Sequence, residues 1–185
     1  MRIDNRMYAR ETAVRDVNRT EFIGFYEANY RRVYNYISYR ITSRSDVEDL
    51  VSGVFSRVLE KCSTFDPSRG TEEMWVIGIA RNAVTDYFRE NATRKRIEIK
   101  AAAEYDPPDE KPDELLIWRE ERERLLSALE TLDERERHVI ALRYGAELTN
   151  HEIARQMGLG ISNIGVILFR ALRKLRKELE KEVRP

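Results

Sequence analysis

Apolar residues recur every three or four positions along most of this chain, the spacing of one buried face on an α-helix. Three such stripes occupy the N-terminal half. Phe22, Tyr26, Tyr30, Val33, Tyr34, Ile37 and Ile41 form the first, with Arg31, Arg32 and Arg40 on other faces. The second starts near Ser45 and Asp46, either of which can cap a helix, and carries Val47, Leu50, Val51, Val54, Phe55, Val58 and Leu59. Trp75, Ile79, Ala80, Ala83, Val84, Tyr87 and Phe88 form the third, interleaved with Arg81, Asn82, Asp86 and Arg89. Between the second and third lies the polar loop STFDPSRGTEE, whose Pro67 and Gly70 enforce an irregular path.

The C-terminal half is punctuated by start and stop signals. Asp133 with Glu136, and Thr149 with Glu152, are capping boxes, in which the first side chain accepts an amide proton and the carboxylate reaches back. Val139, Ile140, Leu142 and Tyr144 follow the first box and end at Gly145. Ile153, Ala154 and Met157 follow the second, Gly158 and Gly160 bracket a sharp turn, and Ile164, Leu168 and Leu172 line the next helix. Residues 149–175, TNHEIARQMGLGISNIGVILFRALRKL, therefore have the layout of a helix-turn-helix DNA reader. Its second helix is unusual in placing Gly165, Val166 and Ile167 where such readers carry polar or basic side chains for phosphates and base edges.

Composition narrows the picture. Equal numbers of Lys+Arg and Asp+Glu, 33 of each, give no net charge, unusual for a protein that binds DNA unaided. Charge is instead segregated: basic from Arg89 through Arg94, Lys95, Arg96 and Lys100, then acidic from Glu104 to Glu114, where Pro107, Pro108 and Pro112 break helices. The expected fold is all-α. Two small helical domains, 21–98 and 114–185, follow a tail over 1–20 and are joined by an acidic, Pro-containing linker over 99–113; the second contains the helix-turn-helix. Ile3, Met7, Val14 and Val17 give the tail a marginal amphipathic pattern.

No apolar run approaches the length of a bilayer span, and MRIDNRMYARETAVRD lacks the apolar stretch of a signal peptide, so a cytoplasmic protein with no membrane insertion of its own is expected. Cys62, His138 and His151 lack metal-ligand spacing, and no phosphate-binding glycine loop or activated nucleophile is present. Neither a cofactor, a metal nor enzymatic activity is expected. The polar loop and third helix do offer what single-strand recognition needs: ring faces for unstacked bases, guanidinium groups for phosphates and an amide for base edges. Trp75, Tyr87 and Phe88 sit in a stripe and are expected to pack in the core, whereas Phe65 sits in the loop.

Four segments in order resemble one family. DVEDLVSGVFSRVLE over 46–60, Trp75 to Asn82 with Asp86 and Arg89, LDERERHVIALRY over 132–144, and the EIA and GL of the helix-turn-helix are similar to the extracytoplasmic-function class of sigma-70 superfamily sigma factors. The resemblance implies a region 2-like first domain and a region 4-like second. It implies that the exposed side of the second helix (Asp46, Asp49, Ser52, Gly53, Arg57, Glu60) docks on core RNA polymerase. Phe65, Arg69, Trp75, Arg81, Asn82, Asp86 and Arg89 would melt and capture the minus-ten element of promoter DNA. Thr149, Asn163, Val166, Ile167, Arg170, Arg173 and Lys174 would read the minus-thirty-five duplex. An anti-sigma protein, able to hold the chain at the membrane, would control it.

Two departures stand out. Ser52 and Gly53 replace the family's Gln-Glu pair, and Gly53 costs the helix about 1 kcal/mol. Gly165 to Ile167 replace a polar, basic reading surface, leaving Val166, Ile167 and Phe169 either to touch thymine methyls or to dock a partner helix. Two alternatives from other classes remain at this point: a stand-alone helix-turn-helix regulator, and a sigma-like interaction module with weakened minus-thirty-five reading.

Overall fold

The computed structural model describes residues 19–98 and 124–182; the expected 1–20 tail up to residue 18, the linker over 99–113, and residues 114–123 and 183–185 of the expected second domain lie outside them. Helices α1 (Arg19–Ser38), α2 (Arg44–Lys61) and α3 (Glu72–Glu98) form the first domain. Two single 3-10 turns, Cys62–Thr64 and Pro67–Arg69, link α2 to α3. In the second domain α4 covers 124–130, α5 covers Glu134–Ile140 and continues as one π-helical turn over Ala141–Gly145, α6 covers Asn150–Met157 and α7 covers Ile161–Glu182. No strand occurs among the described residues.

Val33 and Ile37 of α1, Val47 and Val54 of α2 and Ile77 and Ala80 of α3 are fully buried together. Helix α2 begins two or three residues earlier than expected, because Ser43, not Ser45 or Asp46, is the cap and accepts from the Asp46 amide. The Asp46 carboxylate is engaged elsewhere, by the Tyr87 hydroxyl at 2.6 Å. Tyr26 and Tyr30, expected in the core, are more than a third exposed. A three-helix packing covers only one stripe of α1, so these rings stack along its open edge beside Phe55, with Tyr26 and Tyr30 centred 5.3 Å apart.

Both capping boxes form as the sequence predicts, at Asp133/Glu136 and Thr149/Glu152. Gly158 closes α6 in the left-handed conformation at φ 65°, and its amide bonds to the Ala154 carbonyl. Tyr144 and Leu172 depart from expectation: both are over 40% exposed, and Ala171 and Leu175 fill the α7 core positions instead.

The two domains meet along the C-terminal half of α1. Tyr36, outside the predicted stripe, is fully buried because the second domain covers it, its ring centred 6.1 Å from that of His138. Arg31 pairs with Glu147 at 3.0 Å, Arg32 donates to the Ala146 carbonyl, and buried Arg40 pairs with Glu134. Gly145 has a specific reason to be glycine. A Cβ there would lie 2.9 Å from the backbone of Tyr36, closer than packed atoms approach.

Candidate nucleic-acid interface

The first surface is built from the loop and α3. Asp66 turns the loop by accepting from the Ser68 hydroxyl at 2.7 Å and the Ser68 amide at 3.0 Å, and these bonds hold its carboxyl below the usual range. The chain then enters α3 under a Thr71 cap that accepts from the Met74 amide. Phe65 folds back onto Trp75 with ring centres 5.6 Å apart, and Trp75 rests edge-on against Phe25 at 6.2 Å. Both loop and helix aromatics are thus half-buried, each presenting part of a ring to solvent.

Beyond Trp75, helical spacing brings Asn82, Asp86 and Arg89 onto the same side of α3. Asn82 and Arg89 are exposed. Asp86 lies between two guanidinium groups, 3.8 Å from Arg57 of α2 and 3.9 Å from Arg89. A carboxylate repels phosphate, so here it orients cations that attract it. Arg69 stands exposed at the end of the second 3-10 turn. Arg81 is the exception in this set: it turns to the second domain and donates to the Gln156 carbonyl at 3.3 Å.

On α2, Asp49, Ser52, Gly53 and Glu60 are exposed along one face, joined by Ser56. Asp46 and Arg57 sit at its α3 edge, tied to Tyr87 and Asp86. The open space beside Gly53 shows no packing need for glycine.

The second surface is α7. Asn163, Val166, Arg170 and Arg173 are exposed and share a face. Thr149, at the start of α6, spends its hydroxyl on the capping box. A long apolar neighbour, Phe169, is 69% exposed.

Sequence comparisons assign these two halves. The Sigma-70 region 2 family matches residues 25–94, on α1 to α3, and the Sigma-70, region 4 family matches 128–177, on α4 to α7. The chain belongs to the sigma-70 family, in its extracytoplasmic-function class. It is 29% identical to the ECF RNA polymerase sigma factor SigX of Bacillus subtilis, over 84% of this chain and 81% of SigX. Two solved structures share the fold. CnrH, in complex with the cytosolic domain of CnrY, superposes with a TM-score of 0.66 at 23% identity, over 92% of this chain and 94% of that one. RpoE of Bartonella quintana, in complex with the anti-sigma factor NepR, gives 0.68 at 18%, over 89% of this chain and 99% of that one.

Within this sigma-70 frame two expectations are corrected. Ile167 does not face outward with Val166: it is 9% exposed and packs in the core beside Ile164 and Leu168. The exposed apolar side chains on this part of α7 are Val166 and Phe169, with Leu172 one turn further on. Lys174 is committed to the buried carboxylate of Glu136 at 2.6 Å, which anchors α7 to α5. A residue that serves the sigma fold this way has little freedom to follow a phosphate. The arginines of α1 and Gly145 were not singled out by sequence. Their signal was faint: cations flanking an otherwise apolar stripe, and a glycine that doubled as a helix stop.

Proposed function

We propose that this chain directs promoter-specific transcription as a sigma factor, with α1 to α3 holding polymerase and the melted minus-ten strand and α7 reading the minus-thirty-five duplex. The observation that carries this reading is the side-by-side placement of the Phe65–Trp75 ring pair and the Asn82, Asp86, Arg89 row on α3. An extruded base needs a ring to stack on, a hydrogen-bonding edge and a nearby cation for its phosphate, and flipping it costs a few kcal/mol that those contacts must offset. Arg69 and Arg57 extend the cationic rim.

Polymerase docks on the exposed α2 face of Asp49, Ser52, Gly53 and Glu60, with Asp46 and Arg57 shaping its edge. Asn163 and Val166 contact bases in the minus-thirty-five groove, Arg170 and Arg173 contact phosphates, and Thr149 orients the entry of α6. The domains divide at 21–98 and 114–185, with 99–113 as linker. The protein acts by binding and not by catalysis, and it works in the cytoplasm; among the described residues no helix is long and apolar enough to cross a membrane. Control by an anti-sigma partner is supported by the two fold neighbours, both solved with a bound regulator or cytosolic partner domain.

The decisive measurement mixes the purified chain with sigma-free bacterial core polymerase and maps transcription starts on genomic fragments. Discrete starts that require this protein are expected. DNA binding without polymerase, and no such starts, would overturn the reading in favour of a stand-alone regulator. The exposed Val166 and Phe169 favour a second role for α7, as a protein contact with weakened duplex reading.

A further inference from the structure

Helix α7 has three sides, and the core and the duplex account for two of them. At about 100° per residue, Ile164, Leu168, Ala171 and Leu175 point into the core, while Asn163, Val166, Arg170 and Arg173 point to the proposed duplex. Ile161, Gly165, Phe169 and Leu172 fall on the third side, within an arc of roughly 80°. Three of these are large and exposed: Ile161 by 50%, Phe169 by 69% and Leu172 by 41%. The outer side of a surface helix is ordinarily polar, so an apolar stripe there calls for a cover.

The stripe carries its own complement. A Cβ added at Gly165 would meet nothing within 4 Å, which leaves an open notch, and one turn on stands Phe169, the most exposed of the large apolar side chains. Notch and knob are four residues apart, about 6 Å along the axis. A twofold axis through their midpoint, perpendicular to α7, lays a second α7 antiparallel on the first. Phe169 of each copy then enters the Gly165 notch of the other, and Ile161 of each meets Leu172 of the other.

Charge fits the same occupant. The stripe is uncharged as far as Arg176, whose guanidinium is held by Glu180 of its own helix at 2.7 Å. A phosphate backbone or a charged helix therefore finds no partner group on it. The whole chain has 33 cationic and 33 anionic side chains, so two copies approach without net repulsion. Two stripes together bring about 700 Å² of apolar surface into contact, short of the roughly 1,200 Å² of a stable complex. Pairing is therefore reversible and depends on concentration.

We propose that this side of α7 is a self-association surface, joining two copies of the chain by reciprocal insertion of Phe169 beside Gly165. It names the partner for the protein contact given to α7 above, and the dimer itself does not depend on the sigma reading. One consequence does rest on that reading. A second α7 laid beside Val166 and Arg173 obstructs the duplex, so the dimer does not read the minus-thirty-five element.

Sedimentation equilibrium of the full chain from about 1 to 300 µM is expected to show monomer passing to dimer. Gly165 has an ordinary helical backbone in open space, so it accepts a side chain. Phe169→Ala leaves two notches and Gly165→Phe makes two knobs collide; each is expected to weaken the dimer about tenfold or more. The double variant exchanges knob and notch and is expected to return to within about threefold of wild type. Monomeric wild type throughout the range would overturn the proposal, as would a folded double variant as weak as the singles. Disulfide trapping decides the register if the double variant folds poorly. In a Cys62→Ser background, Gly165→Cys chains mixed with Phe169→Cys chains are expected to cross-link more than either alone, because one knob and notch stay intact; equal yields would overturn it. Monomeric wild type whose Phe169→Ala variant loses transcription starts would give the stripe to polymerase instead. For the consequence, starts per polymerase are expected to fall several-fold as wild-type chain is raised through its dimer range, and to hold level with Phe169→Ala. A wild type that dimerises but gives no polymerase-dependent starts at any concentration would remove the sigma reading and leave the dimer in place.

Discussion

The α3 surface and the α7 surface both face nucleic acid in the proposed complex, but they are built by opposite means. On α3 the cations are arranged by carboxylates: Asp86 sits between Arg57 and Arg89, and the aromatic pair is braced by Phe25. On α7 Lys174 is tied to Glu136, and half-buried Gly165 and exposed Val166 carry no charge. A pre-arranged surface can stabilise an unpaired strand, which has no rigid shape of its own. A sparsely charged helix can still follow duplex DNA whose shape is already fixed, provided other contacts supply affinity. In the proposed complex the promoter grip is therefore unequal, strong at the melting site and light upstream.

The largest expected effect lies where the exposed and buried sides of α7 adjoin, at Val166 and Ile167. Ile167→Lys buries an ammonium in the core of the second domain and is expected to destabilise it by about 3 kcal/mol or more in denaturant unfolding. Val166→Lys, one residue away and exposed, is expected to stay within about 0.5 kcal/mol. Equal stability of the two variants would mean that Ile167 faces solvent.

Acidification acts on the seam between the two surfaces. Burial first, then the Arg40 and Arg81 guanidinium groups, lower the His138 pKa to about 4 from its ordinary 6.5, while the ring of Tyr36 covers it from α1. The unfolded chain therefore binds a proton that the folded chain refuses between those values, so stability is full above about pH 6.5 and falls as pH drops toward about 4. Thermal unfolding of wild type and His138→Gln across this window checks the sign. The wild type is expected to lose more stability on acidification than the variant, and parallel curves would remove His138 from the seam's pH response.

Much of this inequality was legible in the sequence, and what was not has a physical reason. Helices α1 to α3 and α5 to α7 followed from apolar spacing, capping boxes and Gly158, because these are local signals that tertiary structure only confirmed. The missing basic side chains of α7 could be read directly. Burial of Ile167 could not be separated from exposure of Val166, since adjacent helix positions differ by about 100° and the edge of a core stripe is set by what packs on it. Arg40 and Arg81 were equally opaque: a cation off the apolar stripe is normally solvated, and only the neighbouring domain shows that these two are fastened.

Between the two DNA surfaces, a like-for-like test compares one exposed arginine from each. Arg89→Ala is expected to lower open-complex formation by about tenfold, the scale of a charge-assisted contact made to the melted strand. Arg173→Ala is expected to lower it only about threefold and to weaken binding to duplexes of any sequence alike. Permanganate footprinting of the melted region reads the first, and electrophoretic titration of holoenzyme on duplex promoter reads the second. A larger loss for Arg173 would invert the comparison and make α7 the principal grip.

The smallest effect sharpens the same contrast by repairing α7. Nothing lies within 4 Å of a Cβ added at Gly165, so Gly165→Lys is sterically free and removes a flexible residue from a helix interior. The side chain projects about 100° round the helix from Val166, on the side of Phe169, and one added phosphate contact there is expected to raise duplex affinity by a few-fold. The discriminating measurement is salt dependence and not affinity at one salt. Each phosphate neutralised steepens the slope of log affinity against log salt by about 0.9, so holoenzyme carrying Gly165→Lys is expected to show a slope steeper by about 1 than wild type. An unchanged slope with altered capture of a protein partner would mean that the Val166–Phe169 face of α7 looks toward protein, and that the light upstream grip is lighter than the comparison allows.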